Sequence, residues 1–160
     1  MNVLRKKYKR KEWLYMNNET LFDKAKQNLK VAESIYSTIA INDEAYLNYV
    51  GYHIQQALEL SIKYVLEMNG VNYPKTHDID QLIRLANINN VDLYLNEYID
   101  DHSEMFSLWE ARTRYILNYR LEKRKIERSL METKSYLDVI DKTMNRHMEN
   151  DLENDEELEM

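Results

Sequence analysis

The chain has 160 residues, a formal net charge of −6 and 44% hydrophobic residues, which fits one domain with its own core and is ordinary for a globular protein. It holds only 2 Gly and 1 Pro, too few for the turns of a sheet, and no Cys, which excludes disulfides and thiolate chemistry. No run of about 18 apolar residues occurs, so no membrane span is expected; no apolar stretch follows the basic start, so no signal peptide is expected either, and a cytoplasmic location is.

Charge is unevenly spread. Arg5, Lys6, Lys7, Lys9, Arg10 and Lys11 crowd the start, and Glu149, Asp151, Glu153, Asp155, Glu156, Glu157 and Glu159 crowd the end. Residues 1–18 therefore form a basic arm and 149–160 an acidic tail, with the domain between them at 19–148. Both ends read as solvated tails, or as an arm that touches phosphates and a tail that competes for it or docks a partner.

Apolar residues Leu21, Phe22, Ala25, Leu29, Ala32, Ile35, Tyr36 and Ile39 recur at helical spacing and predict a helix over 19–41, with Thr20 and Asp23 as a loose capping pair. Asn42-Asp43 breaks it. A second helix runs over 44–68 on the stripe Leu47, Val50, Ile54, Ala57, Leu58, Ile62, Val65 and Leu66, and Asn69-Gly70 stops it. Asp78 and Gln81 have capping-box spacing for a short third helix that fades at 87–90. A helical piece follows at 93–99. Asp101 with Glu104 caps a helix over 103–119, and a last helix covers 122–148 on Ile126, Leu130, Leu137, Ile140 and Met144. The expected fold is all-α, an up-and-down bundle of about four long helices plus a short one.

Met105, Trp109, Arg112, Ile116 and Tyr119 share one face of the helix predicted over 103–119. A guanidinium in an apolar stripe needs a partner. Arg112 either pairs with a core carboxylate such as Glu59 or opens onto a cleft and meets a phosphate, which its planar fork suits. Arg112, Arg114 and Arg120 stand beside Tyr115 and Tyr119, and arginines among aromatic rings suit RNA. Glu59 and Lys63, four apart, have the spacing of a surface salt bridge. His53, His77, His102 and His147 lack metal-ligand spacing, so no metal is expected. No glycine-rich phosphate loop exists, and no cofactor is expected. His77 is expected to order the loop before the third helix. His53 is expected in or near the core, or as a base approaching Arg112.

The run Tyr52-His53-Ile54-Gln55-Gln56-Ala57-Leu58-Glu59-Leu60-Ser61-Ile62-Lys63, followed by Thr76-His77-Asp78-Ile79, resembles the core of a HEPN domain (higher eukaryotes and prokaryotes nucleotide-binding). The resemblance covers about residues 19–148. It implies a homodimer that binds RNA or a nucleotide across the cleft, of the kind found in prokaryotic toxin–antitoxin or defence systems, with a nucleotidyltransferase antitoxin as a partner. Catalytic members carry an Arg, four to six residues, a His, and often a Tyr two residues on. Here Arg112 stands at the Arg and Tyr119 at the Tyr, as catalytic candidates, but the His position is Leu117. A leucine moves no proton, and acid–base catalysis contributes about 10²–10⁴-fold. Thr113-Arg114-Tyr115 is similar to an Ala-Arg-Tyr segment of non-toxin members. Arg114, Tyr115, Asn118, Arg120 and His53 are the substrate-binding candidates. In some toxins the Tyr after the His is modified with AMP by the partner, and by position that is Tyr119. The resemblance points to RNA or nucleotide binding, with metal-independent RNA cleavage if another group replaces the His. The alternatives are a non-catalytic module for a nucleotidyltransferase-type partner and a purely structural bundle.

Overall fold

The computed structural model of the protein describes residues 19–159. The basic arm at 1–18 and residue 160 lie outside the described residues. Among the described residues the chain is helical without strands. Helix α1 spans Leu21–Ser37. A single 3-10 turn at Glu44–Tyr46 leads into α2, Leu47–Met68. Then come α3, Ile79–Ile88, the one-turn α4, Glu97–Asp101, α5, Ser103–Tyr115, and the long α6, Lys123–Leu158.

Helix α2 is the axis of the bundle and packs against α1, α3, α5 and α6. Its eight stripe residues, from Leu47 to Leu66, are all buried. Around them lie Phe22, Ala25, Leu29 and Ala32 of α1, Phe106 and Trp109 of α5, and Ile126, Leu137, Ile140 and Met144 of α6. Fully burying a large apolar side chain contributes about 1.5–3 kcal/mol, so this common face dominates the stability of the bundle.

Local chemistry sets the helix ends. Thr20 Oγ1 accepts the Asp23 amide at 3.1 Å and Asp23 accepts the Thr20 amide at 2.9 Å, a full capping box. Helix α1 stops at Ser37, short of the expected 41: the Thr38 amide and Oγ1 both donate to the Ser34 carbonyl, at 3.2 and 2.7 Å, and the next turn leaves helical register, with the Ala40 amide bonding the Ile35 carbonyl five residues back at 3.0 Å. Asp78 Oδ1 accepts the Gln81 amide at 3.2 Å and caps α3. Asn96 caps α4 through the Ile99 amide. The expected Asp101 cap of α5 does not form; His102 occupies that position without a capping bond, its Nδ1 donating instead to the Tyr98 carbonyl at 2.7 Å. Helix α6 passes the expected end at Met148 and continues through the acidic residues to Leu158. No helix among the described residues is long and apolar enough to cross a membrane.

Tyr36 of α1 donates its hydroxyl to Glu127 of α6. That bond to a carboxylate, with burial adding to it, pushes the phenol up to about 12. The neutral hydroxyl is the form the fold favours, so the α1–α6 tie is intact below the ordinary tyrosine value and is lost as pH rises through about 12. The difference in phenolate absorbance between wild type and Tyr36→Phe is expected to show one step near pH 12. A step near the ordinary tyrosine value of about 10 would contradict the contact.

Candidate RNA-binding site

The Arg112–Tyr119 segment is not one helical face. Helix α5 ends at Tyr115 because Ile116 turns extended, with φ −94° and ψ 110°. Asn118 follows with φ +65°, the left-handed region that Asn tolerates better than most residues. The Tyr119 amide bonds the Ile116 carbonyl at 3.3 Å and closes the turn. The expected stripe is therefore broken: Trp109 is buried under the bundle, Arg112 and Ile116 are exposed, and Tyr119 is only half-buried.

Two residues of α2 hold this turn. Asn48 Nδ2 donates to the Tyr119 carbonyl at 2.6 Å, and Asn48 Oδ1 accepts the Leu121 amide at 3.2 Å. One buried amide thus pulls the loop out of helical register and satisfies both backbone groups. Gly51, one turn on, allows the close approach. A Cβ there would collide with the Leu121 side chain and press on the Trp109 ring. A mid-helix glycine costs about 0.5–1 kcal/mol against alanine, so its place here is explained by contact, not by helix propensity. Asn48→Ala is expected to destabilise the protein by about 1–3 kcal/mol, because the buried Leu121 amide loses its acceptor. Denaturant unfolding reads the loss, and faster amide exchange confined to the loop at 116–121 locates it.

Arg114 is built into a stack. Its guanidinium lies 5.0 Å from the Tyr52 ring centroid and 4.8 Å from that of Tyr115. Its Nε donates to the Glu110 carbonyl at 3.0 Å, and a terminal nitrogen pairs with the buried Glu110 carboxylate. The plane of the guanidinium is therefore fixed. Tyr115, 70% exposed, covers it from outside. Tyr52 passes the contact inward to His53, whose ring is edge-on at 5.2 Å. His53 is half-buried, its Nδ1 is 2.8 Å from Asn28 Oδ1 of α1, and burial lowers its pKa. The Arg112 side chain makes no hydrogen bond or ion pair among the described residues and is exposed. It does not pair with Glu59, which is enclosed by Lys63, Gln55 and His77. Arg120 donates to the Tyr119 carbonyl at 3.0 Å and is exposed. Leu117 is 88% exposed at the tip of the turn.

Three residues that the sequence reading left aside join this group. Lys123, Arg124 and Lys125 form the first turn of α6 and are exposed. Cations at a helix N-terminus oppose its dipole, typically by about 0.3–1 kcal/mol each. A basic first turn therefore does not serve the helix, and its exposed cations follow Arg112 and Arg120 closely in the chain, with the exposed Glu122 between them. The sequence signal was the run Lys123-Arg124-Lys125 at a helix start, where acidic residues are the rule. The acidic end of α6 does not cancel this field. Glu149 is 26 residues from Lys123, about 39 Å along the helix, against a screening length of about 8 Å at physiological salt.

Among the described residues, no group of three or more His, Asp or Glu side chains could hold a metal ion. Glu59 and Lys63 are not a surface pair: Glu59 is 2% exposed and the Lys63 nitrogen lies 2.7 Å from it. No curated protein and no solved structure matches the chain. The family model described as HEPN domain matches residues 18–143, which takes in every element from α1 to most of α6. The chain belongs to the HEPN domain family, a nucleotide-binding or ribonuclease-type family.

Proposed function

We propose that the protein binds single-stranded RNA on the surface formed by the end of α5, the turn at 116–121 and the first turn of α6. The observation that carries this reading is Arg114, with its guanidinium over both the Tyr52 and Tyr115 rings, in the same stretch of chain as the exposed cations Arg112, Arg120, Lys123, Arg124 and Lys125. Phosphates meet the guanidinium and ammonium groups, and a base stacks on the exposed face of Tyr115. Base stacking on aromatic side chains contributes about 1–3 kcal/mol per base. Ile116 and Leu117 are apolar and exposed at the same edge. A second copy of the chain covers them and brings two such surfaces face to face, so the RNA-binding form is a homodimer. Arg112 and Tyr119 stand where catalytic HEPN domains carry their Arg and Tyr, and Leu117 supplies no proton transfer. This segment therefore binds and orients the strand.

A second reading rests on the far end of α6. Beyond Met144 the helix carries no buried residue and six acidic ones, Glu149, Asp151, Glu153, Asp155, Glu156 and Glu157. That rod fits a basic partner, and a nucleotidyltransferase-type antitoxin of a toxin–antitoxin pair is the partner this family suggests.

Fluorescence anisotropy with a labelled single-stranded RNA, at low and at physiological salt, tests the first reading. Binding that weakens as salt rises is expected. No binding at low salt would overturn it.

A further inference from the structure

Tyr52, Gln56, Glu59 and Lys63 follow one another on α2 at intervals of four, three and four, so they lie along one side of the helix. Glu59 is buried, and its oxygens accept from Gln55 Nε2 at 2.9 Å and Lys63 Nζ at 2.7 Å. They also lie 3.1 and 3.2 Å from His77 Nδ1. A carboxylate oxygen only accepts, so Nδ1 carries the hydrogen and Nε2 is the acceptor nitrogen of the neutral ring. The His77 side chain is 63% exposed. The imidazole is thus fixed at one nitrogen by a buried carboxylate and open to solvent at the other, the arrangement in which a histidine acts as a general base. A latch for the loop alone would need only a donor, and the Gln55 bond to the His77 carbonyl at 3.3 Å already ties the backbone.

Two helical rulers place His77 relative to Arg114. On α2, Arg114 stands over Tyr52 and His77 over Glu59, seven residues apart, or about 10 Å. On α5, Ser107 bonds the Ile79 amide beside His77 at 3.0 Å, and Arg114 is again seven residues on, about 10 Å. Both groups border the contact between α2 and α5, about 10 Å apart along either helix axis.

We propose that the Glu59–His77 pair is a catalytic site that cleaves an RNA strand anchored at Arg114, and so takes the part that Leu117 cannot play. This rests on the RNA-binding reading. His77 Nε2 takes the proton of a ribose 2′-hydroxyl. The 2′-oxygen then bonds to the adjacent phosphorus as the bond to the 5′-oxygen breaks. The leaving oxygen takes a proton from water, and the hydroxide so formed takes the proton back from the imidazolium. The products are a 2′,3′-cyclic phosphate and a 5′-hydroxyl end.

The test uses the full chain, an end-labelled single-stranded RNA and a metal chelator, with His77→Asn beside the wild type. The asparagine amide nitrogen can replace Nδ1 as donor to Glu59 but provides no base. The wild type is expected to cut the RNA and leave DNA of the same sequence intact. His77→Asn is expected to bind equally in anisotropy, melt at the same temperature and cut at least about a hundredfold more slowly, with free imidazole restoring part of the rate to His77→Ala. RNA bound but left intact by the wild type, or cut equally by His77→Asn, would overturn this inference and leave the binding reading standing. RNA not bound at all would overturn both.

Discussion

Replacing Arg112 and Arg114 together with alanine weakens the binding of single-stranded RNA by at least about a hundredfold. Each arginine contributes a charge-assisted contact of about 1.5–3 kcal/mol, and about 1.4 kcal/mol is a factor of ten. The dependence on salt changes too. Each phosphate contact to a single strand adds about 0.7 to the slope of log affinity against log salt, so the double variant loses about 1.4 from it. The two single variants separate binding from folding. The Arg112 side chain is exposed and makes no hydrogen bond or ion pair among the described residues, so Arg112→Ala melts like the wild type while its affinity falls. Arg114→Ala also strands the buried Glu110 carboxylate, so it loses affinity and some stability. Titration by anisotropy at several salt concentrations, with thermal melts of the same samples, checks each part. Unchanged affinity in the double variant would remove the site.

Glu59→Ala lowers the stability of the fold by about 3 kcal/mol or more. Removing one member of a buried ion pair leaves the other charge without compensation, and such changes cost about 3–5 kcal/mol. Here the loss leaves the Lys63 ammonium, with a side chain only 12% exposed, beside the apolar body of α2. The Tyr73 ring, 5.6 Å from its nitrogen, offsets part of that loss. It also releases His77 and with it the loop that enters α3. The double variant Glu59→Leu, Lys63→Met removes both charges and is expected to recover part of the stability lost in Glu59→Ala, since well-packed apolar replacements of buried pairs are often tolerated. Denaturant midpoints of the single and double variants make the comparison. A Glu59→Ala protein as stable as the wild type would mean that the pair is solvated and not enclosed.

The parts of this fold governed by periodicity were legible before any coordinates. All eight positions of the α2 stripe are buried, because a helix surrounded by partners on most sides must be apolar at nearly every inward position. The Thr20–Asp23 and Asp78 caps were legible for the same reason, since capping is local. Features set by contacts distant in sequence were not. Nothing near Leu117 announces that Asn48, some 70 residues earlier, pulls Tyr119 and Leu121 out of the helix. An uninterrupted helical pattern over 103–119 therefore read as one helix, and the stripe ending in Tyr119 was drawn four residues too far. The spacing of Glu59 and Lys63 gave their pairing but not their burial, which depends on the His77 loop folding over them.

The candidate site was legible in residue type more than in arrangement. Arg112, Arg114, Tyr115, Asn118, Tyr119 and Arg120 do gather around one turn. The stack of Arg114 on Tyr52 depends on α2 and α5 lying side by side and could not be read from either segment alone. His53 was a candidate to reach Arg112, yet its nitrogen faces Asn28 on α1, and only its edge contact with Tyr52 links it to Arg114. His77, expected only to order a loop, is the histidine that is both carboxylate-held and open to solvent.

The most direct measurement is photocrosslinking of the protein to a single-stranded RNA carrying 4-thiouridine, with the crosslinked peptides mapped by mass spectrometry. Crosslinks are expected on the peptides that carry Tyr52, Tyr115 and Tyr119. Crosslinks confined to other faces of the bundle, such as α1 or the far end of α6, would contradict the proposed surface.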